Sequence, residues 1–360
     1  SVPRLVKDWS FVGFADYLPL DRPADMEELM RLVAPRALIL NRYDLWPNHL
    51  LAARDWRVPV VVVNASTPPL GFFGKLSLAS RRSLFRLVNG WTFVDSVAAA
   101  SWEPYIERSA KGLVAGNPRV DRALARVENA LAEKKAAERI TRWKRRSFCL
   151  VAGSTWENDE TVILAAWKDL KGEKSLVLVP HEPEPAHLEK LEQAIRAAGF
   201  SSVRFSRLAQ MASVDEADVL VVDERGFLAE LYGVGDLSYV GGGFNREVHS
   251  IIEPLAHGLP VAFGPNFQRS PEAVTLKATG SAFTLPAKNG APLLRDWFES
   301  MARDEAARAR ACESLRVYLK IHRGAGDRIA EFLMHFLGDT AALPDRALAS
   351  SPQAGILPPR

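Results

Sequence analysis

Short apolar runs recur along most of this chain, and between them apolar positions return with the spacing of one helix face. In the first third, Ala37–Leu40, Val58–Val63, Trp91–Val94 and Leu113–Ala115 predict buried strands. Asp25–Leu32, opened by a Pro-Ala-Asp start signal, and His49–Asp55 predict helices. A second alternating series follows, with candidate strands at Phe148–Ala152, Leu176–Pro180, Val203–Phe205, Val219–Val222, Leu237–Val240, Val261–Phe263 and Ala282–Leu285. Strands covered on both faces by crossover helices read as unbroken apolar runs, so the pattern predicts an α/β chain of two doubly wound, Rossmann-like domains facing a cleft. Ligands are expected at the carboxyl ends of the strands.

The charged stretch from Asp121 to Arg146 predicts a long solvated helix joining the two halves. This gives a first domain with its connecting helix over residues 1–145 and a second over 146–338. Helices over Pro292–Ile321 and Asp327–Leu337 close the second domain, and 339–360, rich in Pro, Ala and Ser, reads as a flexible tail.

Composition narrows the classes little. The 360 residues are 48% apolar and 25% charged, ordinary for a globular protein of two domains. A net charge of +3, set against 46 basic and 43 acidic side chains, does not point to nucleic acid. Cys149 and Cys312 lack metal-ligand spacing and read as buried thiols of a reduced compartment. No run of about 18 apolar residues occurs, so no spanning helix is predicted. No His/Asp/Glu cluster has metal-ligand spacing either, and no cofactor is expected.

Candidate chemistry gathers at strand ends. After Leu237–Val240 come Gly241, Gly242 and Gly243, then a predicted helix bearing His249, Ser250 and Glu253. Glycines let backbone N–H groups approach a phosphate, a helix N-terminus adds its positive end, and Glu253 is placed to accept from ribose hydroxyls. A plain strand-to-helix turn is the alternative. Ser154-x-x-Glu157, after the first strand of the second half, matches a capping box and predicts a second anion-binding helix terminus. His181, in Pro180-His181-Glu182, could bond a base or pyrophosphate-like group, or be a surface histidine. Asp223-Glu224-Arg225-Gly226 either lines the same site or turns the chain. In the first half, Asn41–Asn48 sets Arg42, Asp44 and Trp46 close together, a mixture suited to a sugar unless Trp46 is core. Lys75, Arg81, Arg82 and Arg86 share a helix-like segment with apolar residues, suited to an anionic lipid surface, to acceptor phosphates or to plain solvation.

Together these segments resemble the 3-deoxy-D-manno-octulosonic acid (Kdo) transferases, glycosyltransferases of GT-B fold. The resemblance runs through Tyr17–Asp21, Tyr43–Trp46, Gly116–Asp121, Gly153–Thr155, Pro180–Glu182, the glycine turn with His249 and Glu253, and Phe263–Asn266. It implies inverting transfer of Kdo from CMP-Kdo to a lipid A precursor, at the cytoplasmic face of the inner membrane. It also implies donor binding by Ser154, His181, Gly241, Gly242, Gly243, His249 and Glu253, while Arg42, Lys75, Arg81, Arg82 and Arg86 are, from their own segments, the candidates for acceptor or membrane contact. Asp44 stands where the family usually carries glutamate and is the candidate catalytic carboxylate on the acceptor side. Ser250 stands where asparagine is common, and His181 where many members have arginine. The family's general-base glutamate belongs to a Gly-Glu motif, preceded by a membrane anchor, upstream of anything present here. The first domain is therefore expected to be incomplete, by on the order of 100 residues. A positioned base is worth ~10²–10⁴-fold, so the expectation is a chain that binds CMP-Kdo but transfers Kdo poorly or not at all. Two rivals stay open: another GT-B sugar-nucleotide enzyme, such as a UDP-sugar epimerase or lipid disaccharide synthase, and a silent sugar-nucleotide-binding module.

Overall fold

Four strands in the first half pair in chain order and all run parallel: β1 (Leu38–Asn41), β2 (Val60–Ala65), β3 (Gly90–Phe93) and β4 (Lys111–Val114). The computed structural model describes residues 10, 12–42, 44–68, 76, 78–132, 143, 148–210, 217–226 and 228–338. Between the strands lie α1 (Pro23–Val33), α2 (Pro47–Asp55), the short α3 (Arg82–Phe85) and α4 (Ser96–Trp102). Their apolar faces close a core around Met26, Met30, Leu50, Phe85, Trp91 and Trp102. Asp21 fixes the entry to α2, accepting from the backbone N–H groups of Asn48 (3.1 Å) and His49 (3.0 Å), donors that a helix start otherwise leaves unpaired.

The second half forms one seven-stranded parallel sheet in the order β11-β10-β9-β5-β6-β8-β7. Its strands are β5 (Cys149–Thr155), β6 (Ser175–Pro180), β7 (Ser202–Arg204), β8 (Val219–Val221), β9 (Leu237–Val240), β10 (Val261–Phe263) and β11 (Ala282–Thr284). Along β5, Cys149 and Val151 face one core while Leu150 and Ala152 face the other, the two-residue period of a strand buried on both sides. Strands β6 to β8 lie on one side of β5 and β9 to β11 on the other, so the winding reverses between β5 and β9. A crevice opens where such a reversal occurs, at the carboxyl ends of the two strands.

Several expectations change in detail. The charged helix, α5 (Pro118–Ala132), is not solvated all round: Val120 and Ala123 are buried in the second sheet's core, beside Trp143. The helix expected over Pro292–Ile321 is two, α11 (Gly290–Arg303) and α12 (Glu305–His322). Asp304 divides them by turning its side chain onto the Ala307 N–H at 2.8 Å, a cap in place of continued helix. The helix expected to carry His249, Ser250 and Glu253 shrinks to α9 (Ile252–Ala256). Pro254 has no N–H to bond a carbonyl four residues back, so the helix cannot start much earlier. The remaining helices are α6 (Glu157–Asp169), α7 (Pro185–Ala197), α8 (Leu228–Leu231), α10 (Pro271–Ala278) and α13 (Ala325–Gly338). Cys149, buried, and Cys312, half-buried, are thiols rather than a disulfide. No helix among the described residues is long and apolar enough to cross a membrane. The expected tail over 339–360 lies outside the described residues.

Candidate functional site

Gly241, Gly242 and Gly243 leave the end of β9 in a turn that no other residue could make. A Cβ on Gly241 would lie 2.2 Å from the Ser154 carbonyl oxygen, and one on Gly243 would lie 2.7 Å from the Gly264 backbone. Gly242 has φ +92°, and its Cβ would meet the Glu247 carbonyl at 2.3 Å. The amides, however, do not await a phosphate as the sequence suggested. Gly241 N–H donates to the Gly153 carbonyl at 2.9 Å, and Gly242 N–H donates to Asp159 Oδ2 at 2.9 Å. Asp159 is wholly buried and also accepts from Tyr239 Oη (2.8 Å) and Trp156 N–H (3.1 Å). Burial pushes its pKa up against these donors and the Phe244 amide. The anion held by this turn is thus the protein's own carboxylate, and two of the three glycines serve close backbone packing rather than phosphate contact.

The expected Ser154-x-x-Glu157 box is likewise replaced. The cap residue of α6 is Trp156, whose N–H is taken by Asp159, three residues on. Ser154 instead adopts a left-handed φ of 54°, a conformation that costs a non-glycine residue on the order of 1–3 kcal/mol. Gly153 before it admits the Tyr232 hydroxyl so closely that a Cβ would lie 2.2 Å from it.

That kink turns Ser154 into a recess of about 190 Å³ shared with Arg126, Gly226, Leu228, Ala229, Tyr232, Ser250 and Glu253. Glu253 sits in the first turn of α9, half-buried. Tyr232 is held neutral, its pKa raised by burial and by the Glu253 charge. Arg126, reaching from α5, donates through Nε to Glu230 at 2.7 Å and through Nη2 to the Gly226 carbonyl at 2.6 Å. The pairing with Glu230 raises its pKa, so it presents a permanent cation. Two hydroxyls, a carboxylate and a guanidinium over an apolar floor can bind a polyhydroxylated anion. Gly226 of the Asp223–Gly226 turn lines this recess, whereas Asp223 only ties the chain, accepting from Ser206 N–H (3.0 Å) and Oγ (2.6 Å).

His181 and His249 meet beside the glycine turn. Their rings stack at 4.1 Å and 10°, and Trp156 lies 5.1 Å from His181. Trp156 Nε1–H donates to His249 Nε2 at 3.0 Å. Burial, with His181 beside it, pushes the His249 pKa down to about 4. This ring is neutral at ordinary pH.

The first half holds its candidates separately. Asp44 accepts from Trp46 Nε1 at 2.8 Å, and Trp46 is 48% exposed, so the indole is not core. Arg42 has φ 61° and bonds the Val63 carbonyl through its backbone. Arg81 spends its guanidinium on the Leu45 carbonyl, and Arg86 pairs with Glu107 at 3.6 Å. Arg82 and Arg86 are both exposed. Lys75 lies outside the described residues.

Between the halves, Gly116–Asp121 forms a latch that the sequence marked by resemblance but gave no task. Asn117 Nδ2 (2.7 Å) and Arg119 Nη1 (3.1 Å) converge on buried Glu272, and Arg119 Nη2 donates to Ser250 Oγ at 3.0 Å. Asn117 N–H donates to His322 Nδ1 at 3.1 Å, and Asp121 accepts from Gly324 N–H (2.6 Å) and Gly326 N–H (2.7 Å). Among the described residues no cluster of His, Cys, Asp and Glu could hold a metal ion.

Two parallel-sheet α/β units joined in this way define the GT-B class. The same fold is seen in the UDP-GlcNAc 2-epimerase of Neisseria meningitidis, bound to UDP-GlcNAc, with a TM-score of 0.62 at 14% identity over 87% of this chain and 80% of that one. A family model described as 3-deoxy-D-manno-octulosonic-acid transferase (kdotransferase) matches residues 5–122. The chain is 25% identical to the 3-deoxy-D-manno-octulosonic acid transferase of Haemophilus influenzae, over 90% of its own length and 75% of that protein's. It is 29% identical to the enzyme of the same name from Aquifex aeolicus, over 69% of this chain and 61% of that protein. The chain is thus a relative of the Kdo transferases, the family that its motifs resemble, and spans 75% and 61% of the length of those two proteins.

Proposed function

We propose that this chain acts as a Kdo glycosyltransferase of lipopolysaccharide synthesis, with its donor site in the second unit. CMP-Kdo is the donor, a lipid A precursor is the acceptor, and the anomeric carbon inverts on transfer. The observation that carries the reading is the recess at the β5/β9 reversal, where Glu253, Ser154, Ser250 and Arg126 converge. Its volume of about 190 Å³ is below the ~300–1,000 Å³ of sites that engulf a whole ligand, which suits one end of a sugar nucleotide. Glu253 accepts from the ribose hydroxyls and Arg126 faces the phosphate. The acceptor approaches from the first unit, past Asp44, Trp46 and Arg82. A lipid-borne acceptor would hold the protein at the cytoplasmic face of the inner membrane.

The reading is tested by ligand-dependent thermal unfolding. A ligand at 100 times its Kd adds ~2.7 kcal/mol, which at ~2–4 °C per kcal/mol raises Tm by roughly 5–10 °C. CMP should give this protection and UDP should not, and Glu253→Gln should remove it. Equal protection by UDP would assign the site to another GT-B chemistry, and no protection by either would end the proposal.

A further inference from the structure

Three independent constraints hold the His249 ring. His181 covers one face at 4.1 Å. Gly242 lies against the Nε2 edge so closely that a Cβ there would come within 2.9 Å of Cδ2 and 3.1 Å of Nε2. The Trp156 indole then donates to Nε2 at 3.0 Å. An indole N–H is a donor and never an acceptor, so Nε2 must carry a lone pair, and a neutral ring must carry its proton on Nδ1. Turning the ring over would break the Trp156 bond. Trp156 has its own anchor, since its backbone N–H is held by buried Asp159 at 3.1 Å.

We propose that Trp156 is a positioning residue of the donor site: its indole N–H fixes His249 as the Nδ1–H tautomer, so the ring meets an oxygen of the bound sugar nucleotide as a neutral hydrogen-bond donor. The proposal deepens the donor-site reading of the second unit and rests on it. Free histidine prefers no such arrangement strongly, and a ring left to itself would divide between tautomers and offer an acceptor part of the time. The indole removes that choice before the ligand arrives, which lowers the ordering cost of binding.

The test has one readout that needs no ligand and one that does. Long-range ¹H–¹⁵N correlation spectra of the full chain at pH 7 should show His249 with an unprotonated Nε2 and a protonated Nδ1. Trp156→Phe keeps a ring in the stack and removes the N–H, so His249 should become a mixture of tautomers while Tm changes by only a few degrees. Calorimetric titration with CMP should show a roughly tenfold weaker Kd for Trp156→Phe. A protonated Nε2 in the unmutated protein overturns the proposal without any variant, which covers a Trp156→Phe chain that fails to fold. Equal CMP affinity in both proteins overturns the positioning role alone. Absence of CMP binding by the unmutated protein overturns the donor-site reading, and this proposal with it, whatever the tautomer.

Discussion

Removing the Asp159 carboxylate tests whether the glycine turn is built around an internal anion. Asp159→Ala leaves Gly242 N–H, Trp156 N–H and Tyr239 O–H without their partner, in a place where the carboxylate itself has no exposure. Each buried donor left unmade costs about 1–3 kcal/mol, and three that share one acceptor relax together rather than adding in full. The expected loss is ~3–6 kcal/mol, a large part of the ~5–15 kcal/mol that holds a typical domain together. At ~2–4 °C per kcal/mol, Tm should fall by roughly 10–20 °C. Asp159→Asn should cost far less, about 1–2 kcal/mol. Its oxygen can still take the two amides, and the tyrosine hydroxyl can reverse its role and accept from the new NH₂. Burial also raises the pKa of Asp159, so losing its charge offsets part of the damage. Urea unfolding of the three proteins measures the differences. Inorganic phosphate adds a sign test: it should recover part of the stability of Asp159→Ala, where the amides stand open, and do nothing through this turn in the unmutated protein. Equal losses for Asn and Ala, or an Ala variant within ~1 kcal/mol of the parent, would refute the reasoning.

Gly241→Ala should lower stability by about 1–3 kcal/mol, since its Cβ would sit 2.2 Å from a carbonyl oxygen, while Gly112→Ala, with only an ordinary 3.6 Å contact to Phe93, should stay within about 0.5 kcal/mol; thermal melts of both decide this. Arg119→Ala strips Glu272 of its cation and Ser250 of a donor, and should cost ~1–2 kcal/mol by urea unfolding, below the ~3–5 kcal/mol of a fully buried pair because Arg119 is 40% exposed. His249 should half-protonate near pH 4 by NMR titration rather than near 6.5. Since its folded pKa is the lower one, the stability it contributes is present above pH 6.5 and is lost as pH falls through about 4, and a midpoint above 6 would contradict the packing described.

The sheets were legible because burial on both faces leaves one signal, the unbroken apolar run, and Val60–Val62, Leu176–Val179 and Val261–Phe263 all carry it. Helix limits were less so. Asp304, inside a long amphipathic stretch, reads as one more polar position until its side chain is seen to cap α12. The helical period of α5 was visible, but periodicity reports only that a face is apolar, not which half of the molecule receives it. Val120 and Ala123 pack into the second core, which makes the latch at Asn117 and Arg119 the point where the chain crosses between units.

The site was half legible for a reason of the same kind. Glycines after a strand announce that backbone must come close to something, and a sequence cannot say whether that something is a ligand or the protein itself. Asp159 supplies the missing partner from one turn inside α6, where an acidic residue reads as ordinary first-turn charge. Trp156 was hidden between a strand and a helix for want of any motif, although it is the residue that both donates to His249 and is held by Asp159. Ser154 and Glu253 do converge on one recess, with Arg126 and Tyr232 added from elements distant in sequence. The Gly241 and Gly242 amides and the Trp156 indole therefore form a wall whose donors are committed within the protein, and the ligand-facing groups are those of the recess beside it together with the Nδ1–H proposed for His249. A sugar nucleotide placed here should owe its affinity to Arg126, Ser154 and Ser250 at its anionic groups, to Glu253 at its hydroxyls and to His249, with the Gly241 and Gly242 amides setting where that wall stands.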